Sequence, residues 1–442
     1  MDLQSLLAEH PAIRHLLVAY SGGIDSHVLL CWLAGQRPLA ENRSVSAVHV
    51  NHGLHSEAPH WSEHCRVICE QLDIPLRILT VDARPQPGES PEAAARHARY
   101  SALQSQLQPD TAVLTAHHQD DQAETLLLQL LRGSGPSGLA AMPMAARLGR
   151  GWLWRPLLEI PRAEIADYAQ SHGLQWIDDT SNADRRPDRN FLRHDILPLL
   201  KSRWPASART LARSARLCGE AAELLDTLAT ADLHPTRCED DTGCLLIPAL
   251  QELDEPRLRN VLRHWLRDLH LPPPTAVQLA RIVHEVIAAP SDRRPLVHWP
   301  GCEVRRYRQR LYAMTPRPPP VPDSHFSLYL SDSECHIPGI GFLHWRRQAG
   351  QAIDPDKLNG RALSIRFRHG GECLRPVGRK QVHSLKKLWQ EAGVPPWERD
   401  RLPLLYADEA LVAVVDGWIA AEFAVRPEAI GWILELNRQC TN

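Results

Sequence analysis

The chain contains no CxxC pair, no GKS or GKT, and no apolar run approaching the roughly 18 residues of a membrane span. Without a Walker ending it is not a P-loop NTPase of the usual kind. Its apolar stretch near Leu411 to Val415 stops at Asp416, so a soluble protein is expected. The opening MDLQSLLAEHPAIRH has neither the basic start nor the apolar core of a secretory signal, which fits a cytoplasmic, reducing location. Ten cysteines are scattered, and Cys65 and Cys69, at helical spacing, read as buried thiols rather than metal ligands. An excess of one charge sign is also missing. Fifty Lys and Arg stand against 52 Asp and Glu, a formal net charge of −2, which excludes a uniformly cationic nucleic-acid coat but not local patches.

With 442 residues and 43% hydrophobic content, the chain has material for several cores. The first half alternates short apolar runs with helix-prone segments. LLVAY (16–20), SVSAVHV (44–50), LRILTVDA and TAVLTA predict four strands, and the segments between them predict helices. Such repeats imply an α/β, doubly wound parallel sheet, whose ligands lie beyond the carboxyl ends of the strands. The polar clusters SGGIDS, NHGLH and HHQDDQAET fall there. A helix from Ala208 to Leu233 is expected to lead out of this domain. PRPPPVP (316–322) is the clearest linker, being stiff and unable to pair in a sheet. The expected domains are therefore 1–215 for the chemistry, a mostly helical 216–316, and a small α+β domain at 317–442.

SGGIDS (Ser21 to Ser26) occupies a strand-to-helix turn. Glycines admit an anion close to the backbone, and amides, hydroxyls and the helix N-terminus bind it. An ordinary turn capped by Asp25 or Ser26 would look the same. In HHQDDQAETLLLQLLRGSGPSGLAAMP (117–143), His117, Asp121 and Glu124 are spaced by four and three residues, able to face one side of a helix. The carboxylates could hold Mg²⁺ or an ammonium group, whereas a solvated acidic first turn would explain Asp120 alone.

SGGIDS is the signature of the PP-loop ATP pyrophosphatases, and the chain resembles that superfamily there. The second string, with RPLL (155–158), WIDDTSNADRRPDRNFLRHDILPLL (176–200) and RHGGECLRPVGRKQVHSLKKLWQEAGVPPWERDRLPLL (368–405), is similar to the tRNA(Ile)-lysidine synthetases. The resemblance implies that ATP adenylates C2 of the wobble cytidine in a tRNA(Ile) with a CAU anticodon, and that the ε-amine of free L-lysine then displaces AMP. It also implies that Ser21, Gly22, Gly23, Ile24, Asp25 and Ser26 cradle ATP, with His117 and Arg96 at the nucleotide and Arg99 a weaker candidate. Asp25 would lie near Mg²⁺ or lysine, and Asp121 and Glu124 would hold lysine or the metal. Arg189, Asn190 and Arg193 would guide the anticodon loop.

Two stretches carry the positive charge. Residues 185–216 hold nine Lys or Arg against two Asp, and 361–401 hold ten against four acids. These balances of +7 and +6 leave −15 elsewhere, so the neutrality is a sum of opposed regions. The second zone offers Arg375, Lys380, Lys386 and Lys387 to RNA phosphates, with Trp389 and Trp397 expected in the core rather than stacking. A homodimer is compatible with the chain. The rival enzymatic reading is a PP-loop tRNA thiolase, disfavoured by the missing CxxC; a non-catalytic RNA binder would not need the acid cluster.

Overall fold

Period-two alternation of apolar residues on both faces builds the first sheet. In a computed structural model, Leu16 and Val18 of the first strand join the core on one face while Leu17 joins the core on the other. Ala112, Leu114 and Val113 divide in the same way on the fourth. The structure describes residues 3–36, 43–53, 57–85, 88, 90–178, 184–238, 243–290, 293–317, 325–330 and 334–438. They form two compact units, Met1–Thr230 and Ala231–Asn442.

In the first unit, strands β1 (His15–Ala19), β2 (Ser44–Asn51), β3 (Leu76–Thr80), β4 (Thr111–Leu114), β5 (Ala145–Leu148) and β6 (Gly151–Trp154) pair in the order β3-β2-β1-β4-β6-β5. All are parallel except β5, which runs antiparallel to β6. The chain reverses its direction of winding between β1 and β4, which opens a crevice beyond their carboxyl ends. The β5–β6 hairpin has no counterpart among the expected strands. Its arms are four residues each, too short for a periodic signal, and Gly149 makes the turn at φ +54°.

Among the described residues, the helices that begin in this unit are α1 (Leu3–Glu9), α2 (Ile24–Gly35), α3 (Ala58–Gln71), α4 (Pro91–Ser105), α5 (Gln119–Leu131), α6 (Pro136–Leu139), α7 (Arg162–Ser171), α8 (Asp188–Phe191), α9 (Leu197–Arg203) and α10 (Ser207–Leu233). A π-helical segment, Leu192–Ile196, joins α8 to α9. Helix α10 is the helix expected to lead out of the first domain, and the two units divide at 230/231.

The second unit contains two separate cores. The first surrounds Trp265, Ile282 and Val297, where helices Glu255–Asp268 and Ala276–Arg281 cover a four-stranded antiparallel sheet ending in Arg310–Met314. The second surrounds Trp389, Leu404 and Ile365, with a four-stranded and a three-stranded sheet. Trp389 is fully buried there, as expected. Trp397 is half-buried and packs edge-on against Tyr307 and Tyr312, with the Arg305 guanidinium 5.4 Å from its ring centre. It thus joins the two cores by an aromatic and cation–π contact. Residues 318–322 of the expected linker lie outside the described residues. Cys65 and Cys69 are buried free thiols, whereas the sulfurs of Cys238 and Cys244 are bonded.

Candidate active site

The loop after β1 is shaped by what its backbone must do. Gly22 adopts φ +85°, and a Cβ there would come within 2.8 Å of Ile177 Cδ1 and 3.2 Å of Cys65 Sγ. Its carbonyl accepts from Ile177 N at 3.0 Å, tying the loop to the segment after α7. Ser26 Oγ donates to Gly23 O at 3.0 Å and lies 3.0 Å from Ser21 Oγ, so the two hydroxyls close the loop on itself. No side chain caps α2, which leaves its N-terminal amides available to an anion.

Asp25, in the first turn of α2, projects beside the opening of α5. Its Oδ2 lies 3.8 Å from His118 Nε2, while its Oδ1 is buried without a hydrogen-bond partner. Burial pushes its carboxyl above the ordinary carboxylate range, against the opposing pull of His118, Arg162 and Arg193.

Helix α5 begins in a reciprocal cap. His118 Nδ1 accepts from Asp121 N at 3.4 Å, and Asp121 Oδ2 accepts from His118 N at 2.9 Å. Asp121 Oδ1 accepts from Arg189 Nη2 at 3.1 Å and Arg193 Nη2 at 3.0 Å. Glu124, 1% exposed, accepts from Arg189 Nε at 2.8 Å and from Arg193 Nε and Nη2 at 2.7 and 3.0 Å. Burial would raise the Asp121 carboxyl, but His118 and Arg189 hold it below its usual range. Two carboxylates and two guanidinium forks therefore satisfy one another in a largely water-excluded cluster.

This arrangement bears on several expected roles. Asp121 and Glu124, expected to stand open to lysine or Mg²⁺, have all four oxygens engaged. Arg189 and Arg193, expected to face RNA, turn inward to those acids. Asn190 instead ties its own segment down, donating to Asp184 O at 2.8 Å. Asp120, expected in a solvated first turn, is instead buried, where it pairs with Lys201 and accepts from Arg162 N at 3.1 Å.

His117 bonds Thr115 Oγ1 at 2.9 Å, and burial, reinforced by Arg155, Arg189 and Arg96, pushes its pKa down to about 3. It is a neutral imidazole at working pH. Arg96 is exposed and lies over the Tyr100 ring at 4.9 Å, while Arg99 donates to His52 Nε2 at 3.4 Å. Residues 179–183 of the WIDDTSN string lie outside the described residues.

A cavity of about 350 Å³ adjoins the cluster, lined by Ile24, Asp120, Glu124, Arg162, Arg193 and Lys201 among others. No group of three or more His, Cys, Asp and Glu positioned for a metal occurs among the described residues. Sequence reasoning passed over His118 in favour of His117, and gave no role to Arg155, which is buried and donates to Pro143 O at 2.7 Å. The three-residue spacing from His118 to Asp121 was the available signal for the cap.

In the second unit, Arg375, Lys380, Lys386 and Lys387 are all exposed. Lys386 and Lys387 lie on helix Leu385–Glu391, opposite the buried Leu385, Leu388 and Trp389. Amphipathic spacing thus puts charge outward and apolar bulk inward.

A glycine-shaped loop after β1, its helix amides and an acid cluster after β4 define the class: a PP-loop ATP-binding protein. Residues 1–200 match the PP-loop domain, 245–312 the TilS substrate binding domain and 363–436 the TilS substrate C-terminal domain. The chain is 45% identical to the tRNA(Ile)-lysidine synthase of Methylococcus capsulatus over 96% of both chains. It is 42% identical to that of Coxiella burnetii, covering 95% of this chain and 92% of the relative. The chain belongs to the tRNA(Ile)-lysidine synthase family. A U34-tRNA thiolase NcsA from Methanococcus maripaludis, solved with its [4Fe-4S] cluster, is 18% identical, covers 47% of this chain and 72% of its own, and superposes with a TM-score of 0.40.

Proposed function

We propose that the chain is an ATP-dependent ligase that converts the wobble cytidine of a CAU-anticodon tRNA(Ile) to lysidine. The observation that carries the reading is the convergence of the glycine-shaped loop, the partnerless Asp25 oxygen and the Asp121–Glu124 cluster where the sheet reverses its winding.

The reaction needs two displacements. The cytidine C2 oxygen attacks the α-phosphorus of ATP and pyrophosphate leaves. The lysine ε-amine then attacks C2, AMP leaves with that oxygen, and the amine loses a proton. The loop amides and the two serine hydroxyls bind the phosphates, and Arg96 approaches from α4. His117, held neutral, contacts the nucleotide without adding charge.

The buried, unpaired Oδ1 of Asp25 would hold a divalent ion, because Mg²⁺ takes only one or two protein carboxylates in nucleotide sites. An ion held there would offset the negative charge of the pyrophosphate leaving group. Lysine's ammonium is recognised by Asp121 and Glu124, replacing part of the guanidinium contact from Arg189 and Arg193. The exposed lysines and arginines of both units hold the RNA backbone.

The sulfur-transfer alternative is disfavoured by the thiol nearest the loop. Cys65, beside Gly22, is fully buried, and burial pushes its pKa up to about 12, which suppresses the nucleophilic thiolate. The test is pyrophosphate release from ATP with and without tRNA and L-lysine, followed by nucleoside analysis of the RNA. Lysidine formed only when all three substrates are present is the expected result. A thiolated product, or no modified nucleoside, would rule the reading out.

A further inference from the structure

Twelve of the thirteen tryptophans are buried or half-buried, and Trp204, between α9 and α10, is 60% exposed. Residues 196–219 around it contain five Lys or Arg and no acid. Arg203 holds its guanidinium 6.0 Å from the Trp204 ring centre. Arg209 and Arg213, one turn apart on α10, are exposed, and no ion pair to either occurs among the described residues.

The backbone under the indole is fixed. Trp204 N donates to Leu200 O at 2.8 Å, and Ser207 N donates to Trp204 O at 2.9 Å. Pro205 follows immediately and keeps Trp204 out of the helical region, at φ −129° and ψ 88°. A large apolar ring is thus held out in water by a rigid turn, at a cost in unburied surface that packing within this unit does not recover.

We propose that Trp204 is a stacking platform for an unpaired base of the substrate RNA, next to the nucleotide that enters the pocket. The indole supplies a π face that accepts any base, and the acid-free run of cations supplies the phosphate contacts such platforms use. Its location suits that base. Trp204 is three residues past Lys201, about 5 Å along the helix, and Lys201 lines the 350 Å³ cavity and pairs with Asp120. A cytidine extruded into that cavity loses its stacking neighbour, and Trp204 replaces the neighbour for the adjacent base. A second copy of this chain fits the patch poorly, since a two-fold contact there would press like charges together.

The proposal rests on the RNA substrate proposed above, so its test reads binding separately from turnover. The full-length protein is titrated with a CAU anticodon stem-loop and with stem-loops carrying one abasic site in the loop. Trp204→Leu and Trp204→Ala are expected to weaken binding about tenfold, and Trp204→Phe less than about threefold. KM for ATP and the melting temperature stay unchanged, because most of the ring is exposed. One abasic position should weaken the wild type tenfold and Trp204→Leu no further. Wild-type affinity in Trp204→Leu, or additive losses at every abasic position, overturns the platform. So does a shift from dimer to monomer in sedimentation with RNA affinity intact, which would assign the ring to a contact between copies. Stem-loop binding that depends on Trp204 without any lysine transfer would uphold the platform while ending the proposed reaction.

Discussion

Asp25 Oδ2 lies 3.8 Å from His118 Nε2, while the other oxygen of the same carboxylate is buried with no partner. Burial raises the folded-state pKa of Asp25. A raised pKa means the group's stability contribution is complete below its unfolded value and is lost as pH rises through the folded one. At neutral pH the ionised carboxylate is therefore a cost. Asp25→Asn should raise the melting temperature of the first unit by about 2–4 °C at pH 7.5, roughly 1 kcal/mol, while abolishing turnover. The gain should shrink at pH 4.5, and an equal gain at both pH values would contradict the assignment.

The same site separates the two chemical steps. Asp25→Ala should lose both adenylate formation and lysine transfer, whereas Glu124→Ala should retain part of the adenylation. Labelled ATP consumed per RNA, compared with labelled lysine incorporated, measures the partition. Equal loss of adenylation in the two variants would refute it.

Breaking the guanidinium–carboxylate cluster on one side leaves charge buried. Arg193→Met removes three N–H donors from Asp121 and Glu124. A destabilisation of about 3 kcal/mol is expected, with the double variant Arg193→Met/Glu124→Met less destabilised than the single one. Urea unfolding of the three proteins checks this.

Gly22 and Gly23 make an internal comparison. Gly22→Ala forces a left-handed residue against Ile177 and Cys65, whereas a Cβ at Gly23 meets only Ser21 Oγ at 3.6 Å. Thermal melts should show a loss of about 1–3 kcal/mol for Gly22→Ala and under about 1 kcal/mol for Gly23→Ala. Similar losses in both would mean that the loop is not strained in this way.

Histidines set the acid limit of the first unit. His27, His49, His52, His64 and His117 are all held below the ordinary value of 6.5, chiefly by burial, His52 at about 4 and His117 at about 3. Depressed folded values give stability that is complete above 6.5 and falls as pH drops toward the folded values. Melting temperatures should fall steadily between pH 6.5 and about 4, and His52→Asn should flatten the slope. A melting temperature constant over that window would oppose the assignment.

Much of the catalytic unit could be read from sequence. Short apolar runs announced β1 to β4, and SGGIDS and HHQDD were readable as the loops beyond two of them. The amphipathic spacing of Leu385, Leu388 and Trp389 likewise placed Lys386 and Lys387 outward. What could not be read was pairing across sequence distance. Nothing local in RNFLR says that Arg189 and Arg193 turn back 65 or more residues to Glu124, and nothing in HH says which histidine meets Asp25. Nor does local pattern tell Trp204 from the twelve tryptophans that found partners.

By itself, then, the sequence determined the order of the elements, the conformations open to the loop glycines and the uneven placement of charge, because these follow from local sterics and short-range periodicity. Only the tertiary structure decided which charges neutralise one another, which carboxylate oxygen stays free and which aromatic ring stays in water. Those depend on what the fold brings together and on how much solvent it removes around each group.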